Sequence, residues 1–215
     1  MCFTKELSIK TFIFGLISSF LLIIYGNKES KNTNIVIGIF IIFVSLMQLI
    51  EYFIWVDLDC NKGLNKISLL LGPILNHLQP IIIFILCNIY LKSNNIIQPK
   101  LMYLLIIIYL IYIIERYYNY VKENKNKCIG TNSSGHLDWP WKYNFNYIFY
   151  FIIEIIILTN YTNNFNIILF YSVSYVLFFL SMFKFKKNIG ELWCFMVPGT
   201  PLINLILQKS FNINN

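Results

Sequence analysis

Four ionisable side chains interrupt stretches of chain that are otherwise apolar: Glu51, His77, Glu115 and Glu154. A charge in hydrocarbon is costly, so such residues are candidates for handling protons, ions or ligands. Glu51 belongs to a face. Ser45, Gln48, Glu51 or Tyr52, and Trp55 recur at three- and four-residue spacing, which places them along one side of a helix. A carboxylate and a carboxamide one turn apart accept and donate hydrogen bonds together, as a transported cation, a proton or a polar headgroup requires. The same seam would also tie helices together, at about 1 kcal/mol per hydrogen bond.

His77 stands in Gly72-Pro73-Ile74-Leu75-Asn76-His77-Leu78-Gln79-Pro80. Each proline removes a backbone donor, so Asn76 loses its usual partner to Pro80 and the helix is interrupted there. Freed carbonyls beside Asn76, His77 and Gln79 suit a cavity lining of the kind transporters build from broken helices. Structural proline kinks are the competing reading. Tyr147, Tyr150 and Glu154 share a helical face, with Glu154 the deepest carboxylate and hence a candidate proton relay. Glu115 adjoins Arg116, the sole arginine, which suits a charge-compensated anchor at the interface. Its alternative is an inward-facing Glu115.

Two further segments carry polar chemistry. The longest connection contains Gly135-His136-Leu137-Asp138-Trp139-Pro140-Trp141, either a tryptophan belt at the headgroups or a lid in which His136 and Asp138 cover a site. The last hydrophobic segment opens Gly190-Glu191-Leu192-Trp193-Cys194 and is broken by Pro198-Gly199-Thr200-Pro201.

The elements that position these groups are membrane helices. The 215 residues are 57% hydrophobic and only 13% charged, where a soluble domain carries roughly 25% charged residues. A crossing needs about 20 mostly apolar residues. Seven stretches meet or approach this, near 8–26, 34–56, 66–91, 99–119, 141–159, 164–183 and 190–208. Backbone groups must pair within each segment, so the expected fold is an all-α bundle of seven transmembrane helices in a single domain spanning 1–215. The polar run Thr159-Asn160-Tyr161-Thr162-Asn163-Asn164 separates the fifth and sixth helices as a tight hairpin. The basic amino-terminal segment lacks a small-residue cleavage site and reads as the first helix.

Loop charge predicts orientation. With seven crossings the amino-terminal side holds Lys5, Lys10, Lys62, Lys66, Arg116, Lys122, Lys125, Lys127, Lys142, Lys184, Lys186 and Lys187, which are 12 of the 17 basic residues. The positive-inside bias then makes the amino terminus cytosolic and the carboxyl terminus exoplasmic. Cys60 and Cys128 sit in loops on that same side and would pair only if it faced an oxidising compartment, so the two signals conflict. The charge count is given the greater weight. Cys87 and Cys194 read as small buried thiols, and no C-x-x-C zinc spacing occurs, while a two-histidine metal site completed by Glu or Asp stays open.

Composition also limits what individual residues mean. Alanine is absent, and Ile, Asn, Lys, Phe and Tyr dominate, as A/T-rich codons would produce. The sequons at Asn132-Ser133-Ser134 and Asn160-Tyr161-Thr162 therefore carry little weight. Several seven-helix chemistries are excluded. A retinal protein needs a lysine within its last helix, and Lys209 stands only at its end. Zinc hydrolases of the alkaline-ceramidase kind need three histidines, whereas this chain has His77 and His136. The serine and aspartate elements of rhomboid- and presenilin-type proteases are missing. No basic stripe on a soluble fold points to nucleic acid.

Together, Gln48-x-x-Glu51, His77-x-Gln79-Pro80, Gly135-His136-Leu137-x-Trp139-x-Trp141 and Trp193-Cys194 resemble an uncharacterised family of seven-helix membrane proteins encoded by large DNA viruses. That resemblance implies architecture and a viral source, and it transfers no catalytic residue. The expected function is transport or binding of a small molecule or ion in a polar cavity open to the cytosol, formed from Gln48, Glu51, Trp55, Asn76, His77, Gln79, Glu115, His136, Asp138, Glu154 and Trp193. No cofactor is expected, and the partners are the bilayer and such a ligand. A lipid-modifying enzyme using a His/Glu pair, or a structural viral membrane protein, are the other readings.

Overall fold

The computed structural model describes residues 4–132, 135–140, 147–161, 165–184 and 195–210. These residues are helical with no strands, apart from an isolated bridge between Thr131 and Leu137. Among the described residues the chain forms the helices α1 (Lys5–Tyr25), α2 (Lys31–Val56), α3 (Leu64–His77), α4 (Gln79–Tyr90), α5 (Pro99–Asn124), α6 (Tyr147–Thr159), α7 (Phe165–Lys184) and α8 (Thr200–Ser210). By length and apolarity α1, α2 and α5 are each able to cross a membrane, and α3 with α4 makes a fourth candidate, bent by 47°. The expected third helix, 66–91, is therefore two helices. The expected fourth, ending at 119, runs on to Asn124. The apolar parts of α6 and α7 are shorter than a full crossing among the described residues.

The polarity of the surfaces is that of a lipid-embedded bundle. On α1 the buried positions are Ser8, Thr11, Gly15, Ser18, Ser19 and Leu22, mostly small or polar. Its exposed positions include Ile13, Phe14, Ile17, Phe20 and Ile24. In hydrocarbon, association is driven by close packing and hydrogen bonds, so small residues belong at the helix contact and large apolar ones outside. α1 and α2 accordingly form the most extensive helix pair. A Cβ added at Gly15 would overlap the Ser45 hydroxyl.

Hydrogen bonds between loops fix which ends lie together. At one end Asn166 Nδ2 donates to Ser30 Oγ (2.7 Å), Asn94 N to Asn160 O (2.8 Å), and Asn27 N to Gln208 Oε1 (2.9 Å). This is the turn end. At the other, the Lys5 ammonium lies over the Tyr52 ring, and the loops after α2 and α5 are joined by a disulfide between Cys60 and Cys128. We call this the cap end. Beneath the disulfide, Asn65 Nδ2 donates to Ile129 O (2.9 Å) and its Oδ1 accepts from Ile129 N (2.8 Å). Trp139, buried, closes the cap with Met47, Ile50, Ile54, Leu69, Tyr120, Ile129 and Leu137. Its ring lies against Gly72, where a Cβ would approach it to 2.6 Å.

Asp57 anchors the cap loop. Burial pushes its carboxyl up, but backbone N–H groups of Asn65, Lys62, Leu64 and Asn61 outweigh that and hold it below the ordinary value of 3.8. A depressed carboxyl contributes stability that is present above its unfolded value and lost as pH falls through the folded one. The cap should therefore hold at neutral pH and loosen on acidification below about 4. Asp57→Asn should flatten that dependence, as read by hydrogen exchange at Lys62 and Asn65. Independently, Gly15→Val should cost about 1–3 kcal/mol through overpacking. Gly130→Ala, where nothing lies near, should leave thermal unfolding in detergent unchanged.

Candidate functional site

The interior polar residues centre on the break between α3 and α4. Pro80 has no N–H to give Asn76, and the chain turns at Leu78, whose N–H reaches back to Ile74 O (2.9 Å). The His77 carbonyl at the break accepts from the Tyr109 hydroxyl of α5 (3.2 Å). A side chain from a neighbouring helix thus supplies a donor where the helix stops. The break directs Gln79 inward, 1% exposed, and its Oε1 accepts from the Tyr150 hydroxyl of α6 at 2.8 Å. Glu154 stands one turn further along the same helix, with its carboxyl beside the Tyr150 phenol. The His77 ring meets the Tyr150 ring edge-on, centroids 6.1 Å apart.

Glu154 opens on a small pocket lined by Phe40, Phe151, Phe170, Tyr171, Ser174, Tyr175 and Val197. It encloses about 330 Å³ when the space at its mouth is included, and inside it has room for about one water. The Tyr171, Ser174 and Tyr175 hydroxyls and Gln79 Nε2 have no hydrogen-bond partner among the described residues. A second interruption lies beside this pocket. The 3₁₀ turn Val197–Gly199 precedes α8, and the Ser18 hydroxyl donates to Pro198 O (2.6 Å) near the middle of α1. Helix α8 therefore begins inside the bundle and runs to the turn end, where Gln208 Nε2 donates to Asn34 Oδ1 (2.8 Å).

The proton inventory of the Gln79–Tyr150–Glu154 chain is restrictive. A phenol has one proton. Where Tyr150 gives it to Gln79 Oε1, as here, a hydrogen bond between Tyr150 and Glu154 would need the carboxyl to supply the proton. Where Glu154 is ionised, Tyr150 must donate to it, and Gln79 must turn its amide so that Nε2 donates to the phenol.

The other sequence candidates divide. Gln48 and Glu51 are buried on α2 at 1% and 0% exposed, Asn76 is buried, and Trp55 is half-buried at the edge of the cap. His136 is half-buried in the cap loop, its N–H bonded to Asn132 Oδ1, and Asp138 is exposed. Glu115 is exposed too, while the Arg116 guanidinium stacks over Tyr112 at 5.6 Å, so this pair sits outside the polar interior. Trp193, with Glu191 and Cys194, lies outside the described residues. Sequence reasoning missed Tyr171, Ser174 and Tyr175, although their three- and four-residue spacing marks a face of α7. Among the described residues no three His, Cys, Asp or Glu side chains gather as metal ligands. Comparisons with protein families, curated proteins and solved structures give no match, so the resemblance to the viral family rests on its short motifs.

Removing the Tyr150 hydroxyl would leave the buried Gln79 Oε1 without its donor. Tyr150→Phe should therefore cost about 1 kcal/mol in reversible unfolding from detergent micelles. Tyr118→Phe, at an exposed position, should stay within about 0.5 kcal/mol of the parent.

Proposed function

We propose that this chain is a multi-pass membrane protein that binds and transfers protons at Glu154. The observation that carries this reading is the buried Glu154 carboxyl one helical turn from Tyr150, whose phenol donates to Gln79 Oε1, so that a turn of one amide would free the phenol proton for the carboxylate. Glu154 holds the exchangeable proton. Tyr150 passes the hydrogen-bond polarity along, Gln79 accepts or donates at its far end, and His77 packs against the relay at the helix break. Two interrupted segments, one bordering the pocket through Val197 and the other joined to Tyr150 through Gln79, support transport, since broken helices are a recurring way to place polar groups at membrane depth. The pocket has room for about one water and is too small for an organic molecule, which leaves the proton as the species that fits.

In this reading the chain crosses seven times, the third crossing being α3 with α4 and the last ending in α8. Supporting this, α6 ends at the turn end, where Asn160 Oδ1 accepts from Ile97 N (2.7 Å), and α7 starts there beside Ser30. Successive helices thus alternate in direction. The viral origin suggested by the sequence motifs is compatible with this arrangement and adds no residue to it.

Proteoliposomes loaded with a pH-sensitive dye and driven by an imposed potential provide the test. The parent protein should acidify the lumen above the rate of empty vesicles. Glu154→Gln should reduce that rate by about 100-fold, as loss of a proton-transferring group does, while Glu115→Gln leaves it intact. Folded, monodisperse Glu154→Gln protein with undiminished flux, or parent protein no better than empty vesicles, would refute the assignment.

A further inference from the structure

We infer that the cap end of the bundle, despite its excess of lysines, faces an oxidising compartment, which places the amino terminus on the exoplasmic side. The covalent observation is the disulfide between Cys60 and Cys128, which joins two loops 68 residues apart. Such bonds persist in secretory lumens and outside cells, and are reduced by cytosolic thiol pools. Cys128 is exposed and Cys60 half-buried, so the pair stands within reach of whichever redox buffer bathes that end.

The structure around the disulfide is built to the same end. Asn65 bridges the two loops with both amide atoms, the Asp57 carboxylate accepts from Lys62 N (2.9 Å) and Asn65 N (3.0 Å), and Trp139 seals the apolar layer below. Two connections from separate helix pairs are thereby locked into one lid over the bundle. The opposing signal is the lysine count, which is a bias in how helices insert. It acts through loop charge during insertion and sets no condition on the finished fold, whereas the disulfide needs its environment for as long as it lasts. The acidic residues Glu6, Asp57, Asp59, Glu123 and Asp138 share the same end.

The two sequons then separate. Asn132 is on the oxidising side, in the turn where its Oδ1 accepts from His136 N (3.0 Å). Asn160 is at the turn end and 4% exposed, with its Nδ2 donating to Ile97 O (3.3 Å) and its Oδ1 accepting from Ile97 N. Of the two, only Asn132 is placed to meet a lumenal glycosylation machinery. None of this depends on proton transfer at Glu154, and either assignment survives failure of the other.

The full chain, carrying an amino-terminal epitope, is inserted into sealed microsomes under oxidising conditions. Free thiols are blocked, and the sample is then reduced and labelled with a polyethylene-glycol maleimide. A doubly shifted band that appears only after reduction, and its loss in Cys60→Ser and in Cys128→Ser, is expected. Protease added outside should spare the epitope of the parent protein until detergent opens the vesicles, and that readout needs no variant to fold. Cleavage of the epitope in sealed vesicles, or reduction that releases no thiol beyond those already blocked, would overturn the inference.

Discussion

Hydrocarbon offers no hydrogen bonds, and the N–H that Pro80 lacks is the constraint around which this interior is arranged. A helix that simply continued would leave the Asn76 carbonyl without its usual partner. Instead the chain turns by 47° at Leu78, Tyr109 reaches across from α5 to the His77 carbonyl, and Gln79 swings into contact with Tyr150. Each partner comes from a different helix, so the break also ties α3 and α4 to α5 and α6. Glu154 then lies at the end of a chain of polar groups that begins as a repair of backbone geometry.

The remainder of the bundle follows an inside-out logic. Serine, threonine and glycine line the α1–α2 contact, while isoleucine and phenylalanine cover the outer face of α1, because lipid is as hospitable to large apolar side chains as a protein core is. At the cap the logic reverts to that of a soluble domain. Trp139 is buried over Gly72, Asp57 collects backbone donors, and a disulfide closes the layer. The molecule thus has a water-facing lid at one end and a set of side-chain-bonded turns at the other. Both interrupted segments lie between them.

Much of this was readable from residue types. The proline interruption at Pro80, the shared face of Tyr150 and Glu154, and the broken last segment at Pro198 and Gly199 all follow from elementary backbone chemistry. Rotation about the helix axis was harder. In α5 apolar residues occur on every side, so nothing in the sequence said that Glu115 would be exposed while Tyr109, six residues earlier, is fully buried. In α7 the face Tyr171, Ser174, Tyr175 is regular, but a chain with 15 tyrosines offers many such faces by chance. The pairing of Cys60 with Cys128 stood open because charge and redox chemistry pointed in opposite directions. Asn160 looked like one of many asparagines, and its role became visible only when the loop at Ile97 was folded against it. Helix ends slipped for a simpler reason: α5 continues to Asn124 because a helix does not stop where hydrocarbon does.

The central claim is that Glu154 carries an exchangeable proton within a hydrogen-bonded chain, and infrared difference spectroscopy across a pH titration reads it directly. A carbonyl band of a protonated, buried carboxylic acid should be present in the parent protein, vanish in Glu154→Gln, and shift in frequency in Tyr150→Phe as the neighbouring phenol hydroxyl is removed. A spectrum in which folded Glu154→Gln retains the same band, or in which no neutral carboxyl titrates at all, would contradict the account.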